Sequence, residues 1–270
     1  MNILLLKVQT FYRIYEQNRK LNEMQKTLLE EIEFRKEAER KKDEFISIAS
    51  HELKTPLTSV KGYVQLLERS VDKGDTITVK KHLGKAQVQL EKLNSLIADL
   101  LDISKIESGK LKFNKQEFCI DELIDNVIDI MHQSSPEFKI LKEGSTKCKV
   151  YGDEMRIEQV VINFLTNAIK YSPGTSEIKL TCNIQGDTVF LSVKDYGIGM
   201  SEDQLKNVFE KFYRVEETSQ RFQGLGIGLY IASEIIKRHG GEIGVNSTYG
   251  EGSEFYFTIP LRFNQDFDEL

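Results

Sequence analysis

The sequence predicts an α+β chain in two parts: a charged helical segment that turns back on itself as a hairpin, followed after Gly109 by a helix layer on a mixed sheet. Three observations predict it. The first forty or so residues contain neither proline nor glycine, and two long apolar-striped segments flank Asp72-Lys-Gly-Asp75. Beyond Gly109 the texture changes to short alternating stretches separated by helices. A length of 270 residues suggests about two domains, and a hydrophobic content of 40% is ample for ordinary cores.

The N-terminal segment reads as one long helix with a heptad seam. Ile14, Leu21 and Leu28 repeat at seven, with Met24, Ala38 and Phe45 at complementary positions, while Gln17, Glu31, Arg35 and Lys42 interrupt the seam. It serves either as a signal-transmitting rod or as a dimerisation stalk, and the two are compatible. The segment around His51 continues as helix. A second helix is expected from about Thr76 to Glu107, striped by Leu83, Ala86, Leu90, Leu93, Ile97, Leu100 and Leu101 and closed by Ser108-Gly109. Two helices with one apolar stripe each bury themselves poorly alone, so the hairpin is expected to pair with a second copy as a four-helix bundle, making a homodimer.

In the second part the expected elements are a stretch at Lys110 to Phe113, a helix near Asp121 to His132 and a helix from Asp153 to Tyr171. Strands near Glu177 to Ile184 and Thr188 to Lys194 follow, then a last helix and strand pair. The domain boundaries are placed at 1–42, 43–109, 110–262 and 263–270.

Several classes are disfavoured. A net charge of -5, spread along the chain, leaves no basic footprint, so no nucleic-acid partner is expected. The apolar run Ile3 to Leu6 falls far short of a membrane span or a signal peptide, and a cytoplasmic chain is expected. Cys119, Cys148 and Cys182 are far apart, with no C-x-x-C pair, and read as reduced, half-buried core residues. His82, His132 and His239 are isolated and better explained by helix surfaces or ends, so no zinc is expected.

The candidate working residue is His51, within Phe45-Ile-Ser-Ile-Ala-Ser-His-Glu-Leu-Lys-Thr-Pro-Leu57. At helical spacing Ile48, Leu53 and Leu57 could face a core while Ser47, His51 and Thr55 share another face. Pro56 cannot donate to the carbonyl of Glu52 and bends the axis one turn after the histidine. Taken alone, this pattern also fits a surface histidine on a kinked helix.

Downstream, Asn163 and Asn167 lie four apart on one helix, so both amides can address one ligand while Val160, Val161, Phe164 and Leu165 pack inward. Asparagine oxygens suit a hard cation such as magnesium shared with phosphates, and they equally suit solvated or capping positions. Asp195-Tyr-Gly-Ile-Gly199 follows a strand; it reads as a carboxylate able to accept from an amine beside close backbone, or as an ordinary turn. Gly224-Leu-Gly-Ile-Gly228 opens the helix Leu229 to Arg238 and offers free backbone N–H groups to phosphate. Neither G-x-G-x-x-G in a strand-to-helix turn nor G-x-x-x-x-G-K is present, which disfavours Rossmann and P-loop sites.

The run Ser50-His-Glu-Leu-Lys-Thr-Pro-Leu57 resembles the H box of sensor histidine kinases of two-component systems. Five further motifs, in the same order, are similar to their N, G1, F, G2 and G3 boxes: Asn163 to Pro173, Asp195 to Gly199, Phe209-Glu-Lys-Phe-Tyr-Arg214, Gly224 to Gly228 and Gly250-Glu-Gly-Ser-Glu-Phe255. The resemblance covers roughly residues 43 to 262. It implies a dimerisation and histidine-phosphotransfer (DHp) hairpin followed by a Bergerat-type α/β sandwich ATPase domain. It also implies autophosphorylation of His51 from ATP with Mg2+, then phosphotransfer to a response-regulator receiver domain under the control of an upstream sensor or input module.

Carried over by position, Asn167 resembles the main magnesium ligand and Asn163 its helper. Asp195 resembles the acceptor for the adenine amine, with Gly197 and Gly199 beside it, and Gly224, Gly226 and Gly228 resemble the phosphate-lid turns. Lys170, Tyr171 and Arg214 resemble nucleotide contacts. Glu52 resembles the residue that orients and deprotonates the histidine, and Thr55 the position that helps place water for dephosphorylating the partner. The segment from 215 to 223 reads as a lid or an ordinary loop, and Leu225 departs from the threonine usual in the G2 box. Two other classes stay open: a degenerate kinase acting as an ATP-binding scaffold or response-regulator phosphatase, and a chaperone- or gyrase-like ATPase.

Overall fold

Residues 2–72, 75–214 and 224–261 are described by a computed structural model; the expected lid at 215–223 and the tail from 263 lie outside the described residues. The chain divides into two units, 1–51 and 52–270. The first is a stretch of one helix, α1 (Asn2–Asp72), which runs on into the second. Pairs three and four residues apart, such as Arg35 with Glu31 at 2.7 Å and Arg40 with Glu37 at 2.8 Å, line this helix, each giving slight support because solvent screens it. The heptad residues Ile14, Leu21, Met24 and Leu28 are all exposed. No helix among the described residues is long and apolar enough to cross a membrane.

In the second unit α1 continues through Pro56 to Asp72, and α2 spans Thr76–Glu107. Asp75 caps α2, its carboxylate accepting from Thr78 N at 3.1 Å. At the far end Gly109 adopts φ +67, and the amides of Gly109 and Lys110 donate to Ile106 and Lys105 carbonyls, closing the helix as a left-handed glycine does. Tyr63 of α1 stacks on His82 of α2 with ring centroids 6.1 Å apart. The buried stripe of α1 differs from the expected one. Leu57 is 57% exposed, whereas Glu52 and Pro56 are buried, because α1 is covered along the 52–56 side and left open on the other.

Past Gly109 come β1 (Gln116–Cys119), α3 (Ile120–Ser134), β2 (Lys139–Glu143), β3 (Lys149–Gly152), α4 (Glu154–Tyr171), β4 (Glu177–Gln185) and β5 (Thr188–Lys194). A single turn, α5 (Glu202–Leu205), precedes α6 (Gly228–Arg238), β6 (Ile243–Thr248) and β7 (Gly252–Pro260). The stretch Lys110 to Phe113 is not a strand. Leu111 is buried singly, Phe113 stands edge-on to His239, and Asn114 N donates to Asp153 at 2.7 Å, so these residues are engaged one by one with no neighbour to pair along.

Five strands form one sheet in the order β2-β4-β5-β7-β6, with β2 parallel to β4 and the other pairs antiparallel; β1 and β3 make a separate antiparallel pair. Alternate residues of β4, Ile178, Leu180 and Cys182, point into the core. Burial pushes the Cys182 thiol up to about 12, keeping it an uncharged core group. The apolar face of α4, with Ile157, Phe164 and Leu165, covers the sheet, and Phe164 packs tilted on Phe255 and Phe257 at 5.6 and 6.0 Å.

His239, fully buried at the end of α6, ties the layer together. Its Nδ1 donates to Ile235 O at 2.7 Å, while Nε2 accepts from Asp153 N at 2.9 Å, at the cap of α4. Burial holds its pKa below 6.5. Between that folded value and 6.5 the unfolded chain binds the extra proton, so this contribution is complete above about 6.5 and is lost as pH falls. The stability difference between parent and His239→Gln should therefore shrink from pH 7 to pH 5, by up to about 1.4 kcal/mol per pH unit. Urea unfolding across that range measures it; a constant difference would contradict the assignment.

Candidate functional site

The helix α4 carries the centre of the site because Asp153 starts it: the carboxylate accepts from Arg156 N at 3.2 Å, and Val160, Val161, Phe164 and Leu165 seat its inner face. Asn163 and Asn167 then fall together on the outer side, and Asn167 Nδ2 donates to Asn163 Oδ1 at 3.2 Å. That bond leaves Asn167 Oδ1 directed elsewhere. Gly228 fits against this pair so closely that a Cβ there would overlap the Asn163 amide.

A cleft of about 240 Å³ opens beside the two asparagines. The expected residues Asn163, Asn167, Lys170, Tyr171, Asp195, Gly199 and Arg214 line it, as do Gly224, Gly226 and Gly228. Gly197 is set just behind the wall, where a Cβ would run into the Tyr171 carbonyl. Asp195, the first residue after β5, is almost fully buried; its Oδ1 accepts from Gly197 N at 2.9 Å and Ser253 N at 3.3 Å. Burial raises its pKa, and those hydrogen bonds offset part of the rise. A buried carboxylate with one oxygen held by backbone amides suits an amine-bearing ligand.

Also on the cleft, the run Gly224 to Gly228 leads into α6 with no side-chain cap on Ile227, so the first amides of α6 remain available to an anion. Gly226 O accepts from Phe212 N at 3.0 Å, and Phe212 holds φ +69, rare for a bulky residue. That strained turn fixes the end of the Phe209–Arg214 motif onto the glycine run. Lys170, lying over the Tyr171 ring at 4.9 Å, is lowered to about 8, chiefly by burial and then by Arg214, with Glu52 pulling the other way. Burial also raises the Tyr171 hydroxyl. A polyanion entering the cleft would meet Lys170, Arg214 and the start of α6.

His51 and Glu52 lie on α1, His51 exposed and Glu52 buried, while Thr55 is half-buried. Sequence reasoning missed the cleft residues Leu96 and Asp99 of α2, together with Tyr249 between β6 and β7. A carboxylate interrupting the apolar run Leu96-Ile-Ala-Asp-Leu-Leu101 was the available signal for Asp99.

Residues 41–109 match the family described as His Kinase A (phospho-acceptor) domain, and residues 152–263 match the histidine kinase-, DNA gyrase B-, and HSP90-like ATPase family. The chain is similar to the sensor histidine kinase WalK of Bacillus subtilis, 32% identical over 235 residues, which is 85% of this chain and 38% of WalK. It therefore spans well under half the length of that relative. Among solved structures, full-length ShkA in complex with AMPPNP aligns with a TM-score of 0.58 at 28% identity, covering 81% of this chain and 45% of that one. Histidine kinase ThkA in complex with response regulator protein TrrA aligns at 0.55 and 25% identity, covering 81% and 61%.

Proposed function

We propose that this chain, which belongs to the sensor histidine kinases of two-component systems, moves the γ-phosphoryl group of ATP onto its own His51 and then to an aspartate of a response-regulator receiver domain. The observation that carries the reading is the single cleft that joins a buried carboxylate, a paired asparagine face and an uncapped helix start. On this reading the adenine amine donates to Asp195, and the phosphates run towards Lys170, Arg214 and the amides after Gly224, Gly226 and Gly228. Tyr171 packs along the nucleotide.

The donor set fits magnesium: a hard amide oxygen on Asn167, oriented by Asn163, with room for phosphate oxygens and water. Mg2+ held there would neutralise charge on the β- and γ-phosphate oxygens. For the transfer, one imidazole nitrogen of His51 keeps a lone pair and attacks phosphorus in line. The bond to the bridging oxygen breaks and ADP leaves with the electron pair. Glu52 accepts the hydrogen bond of the other nitrogen, holding the tautomer and later the positive charge.

Residues 1–42 form a coiled-coil linker from an upstream sensor or input module, 43–109 the phosphotransfer hairpin, 110–262 the ATP-binding domain and 263–270 a tail. The exposed Leu57, Val64, Leu66, Leu83, Leu90 and Leu101 support pairing of two hairpins as a four-helix bundle, and the exposed heptad seam supports the same homodimer. The consumption of ATP points to a cytoplasmic reaction.

Incubation with γ-labelled ATP and magnesium tests the reading: the parent should take up acid-labile, alkali-stable phosphate and pass it to a receiver domain, and His51→Gln should not. Steady ATP hydrolysis with no labelled chain would favour a chaperone- or gyrase-like ATPase instead. Thr55→Ala should slow removal of phosphate from the partner about tenfold or more while His51 labelling stays within about twofold. Equal loss of both would remove Thr55 from the dephosphorylation step.

A further inference from the structure

Helix α2 lends the cleft a wall that none of the six motifs contains. Leu96 and Asp99, one turn apart, line the same space as Asn163, Asn167 and Gly228. One turn further along the same stripe, Asp102 is buried and doubly held by α4: Oδ1 accepts from Arg156 Nη2 at 3.1 Å, and Oδ2 from Gln159 Nε2 at 3.2 Å and from Arg156 Nη1. Arg156 itself donates to Gln159 at 2.8 Å, and these residues begin the helix that carries both asparagines. A buried, bidentate arginine pair of this kind resists displacement. Asp99 has no such support. Burial and the neighbouring Asp102 together push its carboxyl up to about 6, so near neutral pH it holds a poorly compensated negative charge in the wall of the cleft.

We propose that Asp99 gates the nucleotide site: its carboxylate opposes the polyphosphate while the Asp102–Arg156–Gln159 cluster keeps it there, so nucleotide binding and the docking of α2 on α4 work against each other. The proposal rests on the nucleotide reading of the cleft and adds to it a specific coupling between hairpin and ATPase layer. Asp99 touches no reacting group; it positions charge. Docking of α2 then favours the empty or ADP-bound site, and ATP, with one more charged phosphate, favours release.

Equilibrium binding of magnesium-ATP and ADP to the full chain, to Asp99→Asn and to Asp102→Asn tests this at pH 7.5 and 5.5. At pH 7.5 Asp99→Asn should bind ATP about fivefold more tightly than the parent, with a smaller gain for ADP. At pH 5.5 the gap should close, because the parental carboxyl is then largely protonated. Among the described residues, the other charged groups around the cleft are Glu52 on α1, Lys92 and Asp102 on α2, Arg156 and Lys170 on α4, Asp195 and Arg214. They are common to both proteins, so the difference isolates residue 99. Asp102→Asn should also tighten binding, by freeing α2. Unchanged or weaker ATP binding by Asp99→Asn would overturn the gate while leaving the kinase reading intact. Absence of nucleotide binding by every form would overturn both.

Discussion

Replacing Asn167 by alanine is expected to lower phosphorylation of the chain at least about a hundredfold, the scale on which removing one preorganised charge-stabilising group acts. The side chain lies half-buried on the outer face of α4, and the core beneath it belongs to Phe164, Leu165 and Ala168. The fold should therefore lose no more than about 1 kcal/mol. The alanine removes the Oδ1 proposed for magnesium and leaves Asn163 Oδ1 without the amide that orients the pair. Initial rates against magnesium concentration, with thermal unfolding alongside, separate the two effects. A variant with parental rate would place the metal elsewhere.

The second large effect is expected at Gly199. Its φ is +62, and an added Cβ would overlap the Thr248 carbonyl and come to 3.1 Å from Tyr249 Cα. Both neighbours are backbone and cannot rotate away. The same junction is closed by Gly250 N donating to Ile198 O at 2.8 Å. Gly199→Ala should thus cost roughly 3 kcal/mol or more and part the turn after β5 from the turn after β6, with loss of nucleotide binding because Ile198 to Met200 line the cleft. Gly62→Ala offers the opposite sign. It lies inside α1 with nothing within 4 Å of the new methyl, and should stabilise by about 0.5–1 kcal/mol. Thermal unfolding of the two variants checks both; a Gly199→Ala protein as stable as the parent would contradict the packing described.

What was legible in the sequence was local. Asp75 and Gly109 mark the ends of α2 by capping chemistry, and Thr188 to Lys194 reads as a strand because turns bound it and its alternate residues are apolar. The short strands β2 and β3 were not legible: β2 is five residues running from Lys139 to Glu143 and β3 four from Lys149 to Gly152, and only pairing with β4 and β1 makes them strands. Leu57 is exposed in the single chain: periodicity identifies a stripe without saying which neighbour covers it, and on the proposed pairing that neighbour is a second hairpin. The site divides in the same way. Residues within a motif, such as Asn163 and Asn167 or Gly224 to Gly228, could be found by spacing. Asp99 meets them only through the tertiary docking that the Asp102–Arg156 pair fixes, 54 residues apart in the chain.

Locating the phosphate on the intact protein is the most direct measurement. After incubation with magnesium-ATP and rapid proteolysis at neutral or alkaline pH, peptide mass spectrometry should find one phosphoryl group on His51. Nucleotide-dependent phosphate on any other residue, or none on a chain that binds and turns over ATP, would contradict the assignment of His51 as the acceptor.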